Sequence, residues 1–152
     1  MRQDEFVIRG QTESPSGTFG QDKLTFSGHT PGYAYRLVEF SLFPSTNMNG
    51  QNAEISATIT AGKTAIGPTS PDFNDDALIA TAFLSHTPSH EEITSQISVV
   101  NDTFLITQDL IIAVRDGQSN PVNWQCRFKP VKVSKAEDAV NNYKQFLISS
   151  SS

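Results

Sequence analysis

The chain has 152 residues, enough for one domain that builds its own core without a disulfide or a structural metal. Hydrophobic residues make up 37% and charged residues 18%, with Ser, Thr, Asn and Gln filling the difference, a profile of β-sandwiches and not of helical bundles. A net charge of −5 with 11 scattered Lys and Arg excludes the dense basic surface a nucleic-acid binder needs, and no apolar run approaches the ~20 residues of a membrane span.

The N-terminus (Met1, Arg2, Gln3, Asp4, Glu5) lacks the charged-then-apolar design of a secretion signal. This leads to the expectation of a protein made in a cytoplasm and used or assembled there. Glu5–Arg9 reads as a short strand, and the Gly-, Ser-, Thr- and Pro-containing run 10–21 as a loop. Leu24 and Phe26 alternate in a second strand, Lys23–Ser27, before a turn around Pro31 that also holds His29. Tyr33–Phe43 is the strongest strand signal. Tyr33, Tyr35 and Leu37 share one face, whereas Val38, Phe40 and Leu42 share the other by strict counting. Either a β-bulge adds one residue and flips the phase, or both faces are buried.

Asn49-Gly50 is a hairpin cue inside the polar run 44–52. Ala53–Ala61 follows, with Ile55, Ala57 and Ile59 facing inward against outward Glu54, Ser56, Thr58 and Thr60. Lys63–Asp76, with Gly67, Pro68 and Pro71, is a long irregular stretch that crosses the surface and is a natural carrier of function. Ala77–Leu84 is apolar enough for a sheet interior, Ser85–Glu92 reads as a polar loop, and from Ile93 to Val100 the apolar residues fit either alternation or a helix turn, with Thr and β-branched content tipping the segment to strand. Thr103–Thr107 and Asp109–Arg115 read as two further strands, and Asp116-Gly117 as a hairpin-type turn. In Val122–Val133, Trp124, Cys126 and Phe128 share a face, and Pro130 ends the strand's central pairing or places it at an edge.

The period then changes. Ser134 and Glu137 form a capping box, and Ala136, Ala139, Val140, Tyr143 and Leu147 fall on one helical stripe, predicting a C-terminal helix over 134–148 and a loose tail over 149–152. With no helices between strands, the sheets are expected to be antiparallel. The expected fold is all-β: a single domain over 1–152, an antiparallel two-sheet β-sandwich of jelly-roll type with a C-terminal α-helix. A barrel or an immunoglobulin-like sandwich is the alternative.

Asp72, Asn74 and Asp76 have the oxygen spacing that opens an EF-hand loop, but Ala77 stands where the turn needs Gly and Phe83 where a bidentate Glu belongs. A solvated acidic turn is the plainer reading, and no metal or cofactor is assigned. His86 and His90 are four apart, yet Pro88 between them spoils a helical zinc face. The lone Cys126 excludes an internal disulfide and lacks a nearby base, so it reads as a buried thiol. No Gly-x-Ser-x-Gly elbow or Walker pattern occurs, and no catalytic residue is proposed. Aromatic residues are spread along the chain. Phe19 and Phe73, on loops, are expected to be the exposed ones, with Tyr143 and Phe146 of the terminal helix as further contact candidates.

The stretch Val122-Asn123-Trp124-Gln125 through Phe128 to Ser134-Lys135-Ala136-Glu137-Asp138-Ala139-Val140, together with Gly32-Tyr33-Ala34-Tyr35-Arg36-Leu37, resembles small jelly-roll virion proteins of marine bacteriophages. The resemblance covers about half the chain and brings no catalytic residues. It implies a non-enzymatic capsid, minor capsid, penton, cement or decoration component, assembled in the host cytoplasm into the virion. Its partners would be other virion proteins or copies of itself. The alternative from the residues is a β-sandwich binding module for a carbohydrate or receptor, with calcium at the acidic loop.

Overall fold

The computed structural model describes residues 5–26, 32–45, 52–62, 64–87 and 93–133. The expected terminal helix with Tyr143 and Phe146, the tail, His29 and His90 lie outside the described residues. The described residues form eight strands in succession: β1 (Phe6–Thr12), β2 (Gly20–Leu24), β3 (Tyr33–Pro44), β4 (Ala53–Ala61), β5 (Leu78–Thr87), β6 (Ile93–Val100), β7 (Leu110–Asp116) and β8 (Val122–Lys132). They form two sheets, ordered β1-β8-β3 and β2-β7-β4-β5-β6, in which every pairing is antiparallel. The described residues thus form an all-β sandwich.

Two-residue alternation builds the core between the sheets. Leu37, Phe40, Leu42, Val122, Trp124, Cys126 and Phe128 come from the three-stranded sheet, and Ile55, Ile59, Leu84, Leu110, Ile112 and Val114 from the five-stranded one; all are buried. Each such side chain contributes about 1.5–3 kcal/mol. Phe128 is the hub of a ring cluster: Phe6 stacks on it with centroids 5.6 Å apart, and Phe26 meets it edge-on at 5.1 Å. Tyr35 closes the group against Phe6 and Phe26.

The phase slip in β3 is a bulge. Leu37 pairs with Phe128 and Glu39 with Arg127, leaving Val38 as the extra residue, so Leu37 and Phe40 both point inward. Among the described residues the central pairing of β8 ends before Pro130, as the first alternative expects: β1 pairs as far as Phe128, whereas β3 pairs on to Lys132. The bond from Val133 N to Gly32 O fixes the alternation so that the Pro130 nitrogen faces the β1 side, two residues past the last β1 pair, Phe6 with Phe128.

Buried polar bonds tie the sheets together. Trp124 Nε1 donates to Thr12 Oγ1 at 2.8 Å, and Thr12 Oγ1 donates to Asp22 Oδ2 at 2.6 Å, linking β8, β1 and β2. Asp116 N donates to Ser14 Oγ at 2.8 Å.

Several local expectations are corrected. The second strand is Gly20–Leu24 and not Lys23–Ser27, because pairing with β7 begins at Gly20 with Val114 and ends at Leu24 with Leu110. The supposed strand Thr103–Thr107 is reduced to a single bridge, Ile106 with Tyr35. Asp116-Gly117 does not close a hairpin: β7 and β8 lie in different sheets, and Gly117 N instead donates to Glu54 O. The polar run after Leu84 continues as strand to Thr87, with His86 turned inward and buried.

Cys126 is fully buried, and burial pushes its thiol well above the ordinary range. The thiolate is therefore scarce even in alkaline solution. A disulfide reagent added to folded protein at pH 8 is expected to label Cys126 no faster than global unfolding, and stoichiometrically once urea is present. Prompt labelling without denaturant would contradict the core placement.

Candidate functional site

The outer faces of the two sheets differ in chemistry. On the three-stranded sheet the outward residues form a polar ladder. Arg9 donates to Gln125 through its guanidinium, Gln11 Nε2 donates to Asn123 Oδ1 at 2.9 Å, and Arg127 faces Glu39 at 3.6 Å. Such a face is satisfied by its own cross-strand pairs and by water. Val7 and Phe43 are exposed apolar exceptions on it.

On the five-stranded sheet, the β4–β5 connection folds back over β4. Thr58 Oγ1 donates to Ile66 O at 2.6 Å, and Ile66 N donates to Thr60 Oγ1 at 3.2 Å, so both threonines are buried although they point away from the core. The cover stops at β4. Beyond it, Phe83 of β5 stands opposite Ile97 of β6, and Thr81 opposite Val99. Phe83 is 43% exposed, Ile97 63% and Val99 45%.

Phe73 extends this strip from the loop and is 66% exposed. The acidic cluster presents it. Asp72 Oδ1 accepts from Asn74 N and Asp75 Oδ1 from Ala77 N, both at 2.9 Å, forming two successive Asx turns that lead into β5. The carboxylates thus shape backbone. Asp72, Asn74 and Asp76 are all exposed, and among the described residues no group of three or more His, Cys, Asp or Glu is placed to hold a metal. Between Phe73, Leu78, Thr81, Val99 and Asn101 lies an open groove of about 180 Å³. The result is a mostly apolar strip along the β5–β6 margin, uncharged on the strands and bordered by the exposed Asp72, Asp75 and Asp76 at its Phe73 end, suited to contact with a complementary surface.

Of the residues singled out from sequence, Phe73 belongs to this strip. Phe19 is half-buried, on the far side of β7 from it, and the two are not brought together. His86 meets Thr94 Oγ1 through Nδ1 at 2.6 Å, and its Nε2 is buried without a partner among the described residues. Phe83, Ile97 and Val99 were not legible as a surface. The available signal was that 93–100 contains no charged residue.

The chain matches no protein-family model, and no curated protein shows significant similarity to it.

Proposed function

We propose that this chain is a non-enzymatic structural protein of a virion, a jelly-roll unit that acts through protein–protein contacts with copies of itself or with other coat components. The exposed, apolar strip of Phe73, Phe83, Ile97 and Val99 carries the reading. Side chains of that size, contiguous on one sheet margin, are stabilised by being covered. The strand order supports the jelly-roll assignment. A jelly roll winds up a long antiparallel ribbon whose nested pairs are first with eighth, second with seventh, third with sixth and fourth with fifth. Here β1 pairs with β8, β2 with β7 and β4 with β5. The sixth strand departs from that plan: it pairs with β5 and reaches β3 through one side-chain bond, Gln96 Nε2 to Leu42 O at 2.9 Å. Jelly rolls serve as capsid subunits and as lectins, and the strip favours the first reading.

Light scattering and negative-stain electron microscopy of the purified chain, with and without calcium, test this. The expected result is an assembly larger than one chain, indifferent to calcium. A monomer at every concentration whose stability rises with calcium or an oligosaccharide would overturn it in favour of a binding module.

A further inference from the structure

We infer that the strip is half of a two-fold interface in which β6 pairs antiparallel with β6 of a second copy, joining two five-stranded sheets into one. The inference rests on the assembly reading above and names its surface. It starts from the sheet edges. Among the described residues each sheet has two, formed by β1 and β3 in one and by β2 and β6 in the other. An open edge offers unpaired N–H and C=O groups to any extended chain, and proteins guard against this with charge, shortness, bulges or proline. Strand β1 carries Arg9. Strand β2 has 5 residues and exposes Asp22 and Lys23. Strand β3 carries Arg36 and Glu39, is bulged at Val38 and ends on Pro44. Strand β6, Ile-Thr-Ser-Gln-Ile-Ser-Val-Val, has 8 residues and none of these guards.

The direction of its free hydrogen-bonding groups follows from register. Asn101 N donates to Ile79 O, directly opposite it, so Val99 with Thr81 and Ile97 with Phe83 are the bonded pairs with β5. The backbone groups of Thr94, Gln96, Ser98 and Val100 therefore point away from β5. Among the described residues no strand pairs with that side. Every side chain from Thr94 to Val99 is exposed, and β6 touches the three-stranded sheet through Gln96, whose Nε2 donates to Leu42 O of β3 at 2.9 Å.

Charge selects the occupant. Two copies of a chain with net charge −5 repel unless they meet where neither carries charge, and β6 is such a place. A two-fold axis through Ile97 satisfies both requirements. Thr94 and Gln96 then exchange backbone bonds with Val100 and Ser98 of the second copy, and the reverse. Ile97 faces the second copy's Ile97 in a close, non-bonded pair, flanked by Phe83 of each chain. The apolar strip becomes one continuous row across the axis.

Sedimentation velocity with three variants tests the pairing. Wild type is expected to be dimeric or built from dimers. Ile97→Lys, which sets two ammonium groups side by side, and Ser98→Pro, which removes an outward N–H while sparing the β5 ladder, should each weaken association at least about tenfold. Because native Cys126 is buried, Ile97→Cys supplies an accessible thiol. Opposite residues in a non-bonded antiparallel pair lie about 4.5 Å apart at Cα, within disulfide range, so mild oxidation should yield a covalent dimer. If wild type assembles and both Ile97→Lys and Ser98→Pro assemble as tightly, with no cross-link in Ile97→Cys, the β6 pairing is wrong while the assembly reading stands. A monomeric wild type overturns both.

Discussion

Replacing Phe128 with alanine is expected to lower the free energy of unfolding by about 3–5 kcal/mol, a large part of the roughly 5–15 kcal/mol that holds a domain folded. Phe128 is fully buried on β8, the central strand of its sheet, with Phe6 paired on one side and Leu37 on the other. Its ring meets Phe6 and Phe26, so deletion removes contacts to β1 and to the segment that follows β2 together. The hole does not collapse easily, because strands held by ladders on both sides cannot close in. Urea unfolding monitored by Trp124 fluorescence should show a lower midpoint with an unchanged slope. Phe83→Ala deletes the same atoms from a side chain that is 43% exposed, and in dilute solution should cost no more than about 0.5 kcal/mol. Equal losses in the two variants would mean that Phe128 does not anchor the core.

That contrast between two phenylalanines marks the limit of what the sequence discloses. Ala53–Ala61 was legible to the residue, because a strand with one face inward alternates and nothing else imitates that pattern. The phase slip at Val38 was legible for the same reason: a bulge is a local error in period. Sheet membership was not. Asp116-Gly117 has hairpin chemistry, yet β7 and β8 part there into different sheets, a choice made by partners more than fifty residues away. His86 reads as polar loop but completes the inner face of β5, with Nδ1 bonded to Thr94 Oγ1. The candidate surface was hidden most deeply. An apolar residue on the outer face of a sheet has the same spacing as one on the inner face, and only the end of the β4 cover at Ile66 decides that Thr58 is buried while Phe83 and Ile97 are bare. The missing charges of β6 were visible throughout. Their meaning depended on β6 being an edge.

Gly20→Ala is expected to be the most damaging of the small substitutions. Gly20 opens β2 opposite Val114, and a Cβ built on it would sit 1.6 Å from the carbonyl oxygen of Glu13, 2.8 Å from the Glu13 carbonyl carbon and 3.3 Å from Pro15 Cδ. The backbone of 13–15 must move to admit a methyl group. That segment holds Ser14, whose buried hydroxyl accepts from Asp116 N, and follows Thr12, which joins Trp124 to Asp22. Overpacking costs about 1–3 kcal/mol and a stranded buried N–H about 1–3 kcal/mol more. The sum is about 2–6 kcal/mol, and at roughly 2–4 °C per kcal/mol for a chain of this size the melting temperature should fall by about 10 °C. Gly17 separates crowding from backbone preference. It adopts φ +79° with nothing within 4 Å of its Cβ position, so Gly17→Ala meets only the left-handed penalty of about 1–2 kcal/mol. Calorimetry on the pair decides the matter. If Gly20→Ala melts no lower than Gly17→Ala, the Glu13–Pro15 segment yields freely, and the Ser14 and Thr12 bonds do not clamp the two sheets at this end.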